Sequence, residues 1–292
     1  MRPHQWPLKN AFVLVPLLFA GPMLREQGLL TTTLVLRVGL AALAFCFVSG
    51  ATYILNDIHD VEADRLHAVK RARPIAAGTL PVRSAWIAFG AALVSVVAIA
   101  VLAVNVEFLA LLSGYFAMNL AYSKGLKRIA YVDAIVIALG FLLRLLAGGV
   151  AANVGVSHWL IGCTVLGALF LALGKRKHEL LTSGKKTRVA LGAYRVEHLN
   201  ILLGILAVAT AAAYLSYTLD AETTRRFHTT MLPWTSPFAL IGLWRFAHLL
   251  GDVQNPNSPT ERMLRDWLFM ANLALWSLTT LAMIYGFFGA KP

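Results

Sequence analysis

Long apolar runs alternate with short polar segments along this chain, and that alternation is its strongest signal. The runs predict nine membrane-spanning helices at about 10–24, 34–56, 83–104, 107–123, 132–153, 157–174, 199–219, 230–249 and 264–288. The first run is short enough to resemble the core of a signal peptide. Pro16 and Pro22 interrupt it and no small-residue cleavage site follows, so it is read as a span. Turns at 104–107 and 153–157 are very short and predict tight helical hairpins. No internal repeat, low-complexity segment or appended soluble domain is visible. The expectation is an all-α membrane protein with a single integral-membrane domain over residues 1–292.

Composition agrees with this reading. Of 292 residues, 58% are hydrophobic and 14% charged, and the mean hydropathy is +0.68, which excludes an ordinary soluble domain. A net charge of +12 could suit nucleic acid, but the basic residues lie in short loops between apolar runs, the pattern that orients a chain in a membrane. With the N-terminus inside, 20 of the 26 Lys and Arg fall on the cytoplasmic side. Five fall outside (Arg25, Arg37, Arg225, Arg226 and Lys291), and Arg144 lies within a span. Cys46 and Cys163 both sit inside apolar runs and read as small buried hydrophobes. His4, His59, His67 and His178 are scattered without zinc-ligand spacing.

The polar stretch after the second run reads N-D-I-H-D-V-E-A-D-R-L-H-A-V-K-R-A-R-P, residues 56–74. On one helix Asp57, Asp60 and Asp64 lie within roughly 60° of one another. Three carboxylates on one stripe repel, and a helix C-terminus disfavours negative charge as well. A hard divalent cation removes both penalties, and Mg²⁺ bound by a few carboxylates plus substrate phosphates is the usual arrangement. Arg65, Lys70, Arg71 and Arg73 follow closely enough to receive phosphate oxygens. A solvated charged loop at the membrane edge is the plainer alternative.

Three further clusters carry chemistry. Residues 122–133, Y-S-K-G-L-K-R-I-A-Y-V-D, hold Tyr122, Lys124, Lys127 and Arg128, and end in Asp133 at the start of a helix, where an acid is favourable in itself. Arg144 lies roughly 16 Å further along that helix and about 20° from Asp133 around it. A guanidinium at such depth is costly unless it faces a polar cavity or an anion, so a polar pocket reaching into the bundle is expected. On this reading Arg144→Leu inserts as well as the native chain. Lys175 and Arg176 are expected at the end of the sixth span, complementing its dipole, with Glu179 paired to Lys175; Tyr194 and Arg195 precede the seventh. The N-terminal R-P-H-Q-W-P-L-K-N suits a headgroup layer.

The nine-span layout, N-D-x-x-D-x-x-x-D after span two and Y-S-x-x-L-K-R after span four resemble the UbiA-type intramembrane prenyltransferase superfamily over nearly the whole chain. Within it, the chain is most similar to decaprenyl-phosphate phosphoribosyltransferases. The shared strings are R-P-x-Q-W at 2–6 with K-N at 9–10, N-D-x-x-D-V-E-A-D-R at 56–65 and K-R-x-R-P-I-A-A-G at 70–78. Others are R-x-x-A-G-G-V-A at 144–151 and G-K-R-x-x-E-L at 174–180. Aromatic prenyltransferases carry a second D-x-x-x-D motif after span four. Here Asp133 is followed by Ile137 at that spacing, a departure that favours the phosphoribosyl group; Pro7, within the entry segment, departs from the expected pattern.

The resemblance implies a UbiA-like bundle of nine transmembrane helices with a cytoplasm-facing polar cavity, multi-pass in the plasma (inner) membrane. It implies Mg²⁺-dependent transfer of 5-phosphoribose from phosphoribosyl pyrophosphate (PRPP) to polyprenyl (decaprenyl) phosphate, with release of pyrophosphate and a role in arabinan precursors of the cell wall. Asp57, Asp60 and Asp64 would hold the metal and act with Lys70, Arg73 and Arg144 in catalysis. Asn56, Arg71, Tyr122, Lys124, Lys127, Asp133, Lys175, Arg176, Glu179 and Tyr194 would bind substrate, and Arg2, Gln5 and Lys9 the lipid phosphate. Nucleic acid is not an expected partner, and a homo-oligomer is left open. The alternative enzyme moves a prenyl group from a prenyl diphosphate to an aromatic or related acceptor. A transporter fits less well, because nearly all charge lies at one face.

Overall fold

The computed structural model describes residues 9–66, 70–183, 189–252, 255 and 258–286, and every regular element among them is helical. Backbone polar groups in a bilayer have no water to turn to, and helices satisfy them within each segment. A 3₁₀ turn at Ala11–Leu14 leads into α1 (Val15–Glu26). There follow α2 (Thr32–His59), α3 (Val61–Leu66), α4 (Val82–Ala103), α5 (Val106–Lys124), α6 (Val132–Ala152) and α7 (His158–Ser183). The chain then runs through α8 (Val196–Leu219), α9 (Ala221–Phe227), α10 (Ser236–Gly251), α11 (Pro259–Met263) and α12 (Trp267–Ile284).

Among the described residues, six helices are long and apolar enough to cross a membrane: α2, α4, α6, α7, α8 and α12. The expected spans at about 10–24, 107–123 and 230–249 fall on α1, α5 and α10, which have 12, 19 and 16 residues. A 3₁₀ start shortens α1, which runs through Pro22 to Glu26, and Glu107, Asn119 and Lys124 make α5 less apolar. The structure also corrects the sixth span. The helix does not stop near residue 174 but runs on to Ser183, because K-R-K-H-E-L-L contains no breaker and Arg176, His178 and Leu180 are buried.

The chain forms two compact units. The first takes residues 1–20, 28–124 and 143–156. Thr31 starts α2 by accepting the Leu34 amide at its hydroxyl, and α2 packs along α4 and α5. Val38, Ala41, Phe45 and Val48 recur at helical spacing on its buried face, against Ala100, Phe108 and Leu112. Gly148 on α6 is required, because a side chain there would run into the backbone carbonyl of Val13.

The second unit takes residues 21–27, 125–142 and 157–292. Here α7 packs along α8, and α10 along α12, around Phe170, Leu173, Leu191, Leu199, Phe246 and Leu250. Asp266 caps α12 at the Phe269 amide and receives both arms of Arg245 at 2.9 and 2.7 Å. The guanidinium beside it, its largest influence, holds the Asp266 carboxyl below the usual carboxylate range. Gly174 lets α10 approach α7, since a side chain there would push the Phe246 ring aside.

Candidate active site

The aspartate motif does not lie on one unbroken helix. Here α2 ends at His59, Asp60 is its cap at φ −91° and ψ 6°, and α3 starts at Val61. Helical hydrogen bonds nevertheless cross the joint, from the Asp60 amide to Asn56 O and from the Asp64 amide to Asp60 O, at 2.9 and 2.8 Å. The side chains of Asp57 and Asp64 therefore still share one side, and both are buried. Asp60 and Asn56 are half-buried at the joint.

Arg73 closes this cluster. One of its terminal nitrogens donates to Asp57 Oδ1 at 3.0 Å and to Asp64 Oδ2 at 2.7 Å, and Lys70 Nζ lies 3.7 Å from Asp64 Oδ1. Arg73 is delivered by the loop after a 3₁₀ turn at Lys70–Ala72. The loop is pinned by buried Ile75 and Ala76 and turned by Gly78 at φ +78°, a conformation that favours glycine. Arg65 pairs with Glu62 at 3.0 Å and reaches Ala76 O at 3.4 Å, tying α3 to the loop, while Arg71 is exposed. Two carboxylates thus converge on one cation. The donor set is all oxygen, which suits a hard ion such as Mg²⁺. Among the described residues no three His, Cys, Asp or Glu side chains converge in metal-ligating geometry. The fit therefore rests on the Asp57–Asp64 pair, with Asp60 beside it.

Arg144, also in the first unit, has specific partners that the sequence did not indicate. Its Nε donates to Asn10 Oδ1 at 2.9 Å and one terminal nitrogen donates to the Tyr115 hydroxyl at 2.7 Å. Its guanidinium lies 4.7 Å from the Tyr115 ring centre and 5.8 Å from that of Phe45. Ser49 bonds the same Tyr115 hydroxyl at 3.2 Å, and Asn10 Nδ2 donates to Cys46 Sγ at 3.3 Å. Arg144 is 7% exposed and Asn10 2%. Asn10 closes the polar N-terminal segment and Tyr115 lies inside an apolar run, and no spacing links either to residue 144. On α5, Tyr122 is half-buried and Lys124 exposed.

The second unit holds the third cluster. Asp133 is fully buried, and its Oδ2 lies 2.5 Å from Arg176 Nε. Arg176 is 2% exposed and also bonds Glu179 Oε2, while Lys175 stands 4.0 Å from Glu179 Oε1. The dipole explanation for Lys175 and Arg176 therefore does not hold, since both lie two turns inside α7. Removing one partner of a buried pair of this kind typically costs about 3–5 kcal/mol. The Tyr194 hydroxyl donates to Asp133 Oδ1 at 2.5 Å and accepts the Tyr131 amide at 2.8 Å. Burial first, and then the bond to Asp133, holds that hydroxyl protonated, well above the usual phenol range. Tyr131 has φ +67°, a left-handed conformation that costs a non-glycine residue about 1–3 kcal/mol.

Of the remaining expected residues, Lys127 is half-buried on a 3₁₀ turn at Leu126–Arg128, and Lys9 is exposed. Arg2, Gln5 and Pro7 lie outside the described residues.

The profile of the UbiA prenyltransferase family matches residues 13–273 of this chain. The chain is 34% identical to the decaprenyl-phosphate phosphoribosyltransferase of Corynebacterium glutamicum, over 98% of this chain and 85% of that protein. It is 33% identical to the enzyme of the same name from Mycolicibacterium smegmatis, over 98% and 91%. Its fold is similar to that of a UbiA homolog from Archaeoglobus fulgidus bound to DMAPP and Mg²⁺, with a TM-score of 0.65 and 20% identity. That match covers 97% of this chain and 99% of the other.

Proposed function

The chain belongs to the UbiA prenyltransferase family, and from that footing we propose that it transfers 5-phosphoribose from PRPP to the phosphate of a long-chain polyprenyl phosphate. The observation that carries this reading is near-full-length similarity to decaprenyl-phosphate phosphoribosyltransferases, over 98% of the chain. In the reaction the bond between C1 of the ribose and the pyrophosphate oxygen breaks, and C1 bonds to an oxygen of the lipid phosphate. That phosphate is already an anionic nucleophile, so no strong general base is needed. Mg²⁺ held by Asp57, Asp60 and Asp64 would act as Lewis acid on the pyrophosphate. Lys70 and Arg73, placed against the same carboxylates, are the cations that meet the donor's phosphate oxygens as charge develops. Arg144 lends the first unit a buried positive charge, and the isoprenoid tail keeps to the apolar helices.

Purified protein in detergent with Mg²⁺ should release pyrophosphate only when PRPP and a polyprenyl phosphate are both present. Release with a prenyl diphosphate and an aromatic acceptor, and none with PRPP, would replace this reading by the prenyl-transfer one.

The same reading places the aspartate motif on the cytoplasmic face of the plasma membrane, supported by the distribution of basic residues. Ala77 is exposed on the loop that carries Arg73. In a Cys46→Ala, Cys163→Ala background, Ala77→Cys should resist a membrane-impermeant thiol reagent in intact cells and react after lysis. Labelling in intact cells would put the motif on the opposite face.

A further inference from the structure

We propose that Arg73 is the resident cation of the aspartate site: it holds Asp57 and Asp64 in the free protein and yields them to a divalent ion by turning to the donor's phosphates. The handover to the donor rests on the phosphoribosyl-transfer reading; the competition between Arg73 and the ion for the two carboxylates does not.

A single terminal nitrogen of Arg73 donates to both carboxylates, to Asp57 Oδ1 at 3.0 Å and to Asp64 Oδ2 at 2.7 Å. It therefore stands between the two oxygens that a bridging ion needs, and two cations that close repel, so the place takes one or the other. Burial makes a cation necessary there. The side chains of Asp57 and Asp64 are 9% and 2% exposed, and a buried carboxylate left without its partner is costly. Lys70 Nζ stands further off, 3.7 Å from the other Asp64 oxygen.

The half of this contact that can move is the arginine side chain, which is 33% exposed where its acceptors are buried. Its backbone is fixed. Arg73 N bonds Lys70 O, Ala77 N bonds Arg73 O and Leu80 N bonds Pro74 O, with Ile75 and Ala76 buried beneath. A pivot held in this way leaves the side-chain torsions to carry the guanidinium, and its planar fork matches phosphate oxygens as well as carboxylates. All of these residues belong to the first unit. The consequence is coupling: a pyrophosphate that accepts Arg73 raises the affinity for the ion, and the ion raises that for pyrophosphate by the same factor. Arg73 thus keeps the carboxylates paired between turnovers and opens them when the donor arrives.

The test titrates Mn²⁺, which suits carboxylate ligands, into detergent-solubilised protein without any phosphate compound, with free Mn²⁺ followed by electron paramagnetic resonance. Arg73→Gln removes the competing charge and should bind Mn²⁺ about 10–100-fold more tightly than the native chain, the range of a charge-assisted contact. Arg73→Lys keeps the positive charge and should stay within about threefold of native. Arg73→Gln leaves two carboxylates facing each other, so Mn²⁺ should raise its melting temperature by more than that of the native protein. Should Arg73→Gln fail to fold, the native chain decides alone. Phenylglyoxal modifies accessible arginines, and peptide mass spectrometry reads Arg73 against exposed Arg71. Mn²⁺ should speed modification of Arg73 several-fold relative to Arg71, and PRPP added with Mn²⁺ should slow it again. Mn²⁺ binding by Arg73→Gln no tighter than native, Arg73→Lys as tight as Arg73→Gln, or a modification rate that Mn²⁺ leaves unchanged would overturn the proposal. PRPP-dependent turnover without protection of Arg73 by PRPP would overturn the handover. Should the native protein show no PRPP-dependent turnover, the functional reading fails, while the measurements made without PRPP still decide the competition.

Discussion

Asp64→Asn should lower pyrophosphate release by about 10²–10³-fold while leaving the protein folded. The change removes one negative charge at constant shape. In the native chain two carboxylates face Arg73, with Lys70 next to them. The asparagine oxygen can still accept from Arg73, and the Asp57 carboxylate still pairs with it at 3.0 Å, so packing and most hydrogen bonds survive. The loss is electrostatic: with two cations and one carboxylate the cluster no longer attracts a divalent ion. Arg73→Met would be a poor probe of the same idea, because it leaves two buried carboxylates facing each other and damages the fold along with the chemistry. Turnover by Asp64→Asn close to native, or native turnover undiminished in EDTA, would remove the aspartate motif from the mechanism. A thermal melt in detergent distinguishes lost chemistry from lost structure.

Arg144→Lys should reduce kcat/KM about 10–100-fold, and Arg144→Leu should lose activity and stability together. The sequence alone predicts that leucine at this membrane-buried position costs most of the catalysis but leaves insertion intact; the loss of stability is what the structure adds. The structure shows what leucine would leave behind: Asn10 Oδ1 without the donor at 2.9 Å and Tyr115 with only Ser49. An orphaned buried polar group costs about 1–3 kcal/mol. Lysine keeps the charge but cannot serve Asn10 and Tyr115 from one planar fork while stacking on Tyr115, so it should fold and turn over poorly. Melting temperatures and PRPP kinetics on both variants check this. If Arg144→Leu melts like the native protein and keeps native kcat/KM, the Asn10–Arg144–Tyr115 contacts are incidental.

Much of the chemistry was legible in the chain because spacing on a helix is local. The i, i+3, i+7 placement of Asp57, Asp60 and Asp64 singled out a stretch whose Asp57 and Asp64 the fold brings together on Arg73, a cation visible nearby in the sequence. The break at Asp60 was not visible, since a joint that keeps its hydrogen bonds leaves no Gly or Pro behind. The wheel angle places Asp133 and Arg144 on one side of a helix but does not give their partners. The two residues share α6, yet its first half belongs to the second unit and its later half to the first, and each finds partners in its own unit. The end of the sixth span was placed too early because basic residues were read as a helix end. Arg176 is instead two turns inside the helix, buried against Asp133.

Hydrophobic runs and the basic bias determined by themselves that this is an all-helical membrane protein, because those signals depend on transfer free energy and short-range geometry, both additive along a chain, while the transferase reading came from resemblance to a known family. Which polar side chains meet was decided only by tertiary structure. Asn10 and Arg144 are separated by 134 positions and Tyr194 and Asp133 by 61, and a hydrogen bond across that distance depends on how whole helices pack. The left-handed Tyr131 is the clearest case. Its side chain does not favour that conformation; backbone bonds from the Val132 amide to Ala130 O and from the Asp133 amide to Ile129 O close the turn, and a hydroxyl from a distant segment accepts the Tyr131 amide.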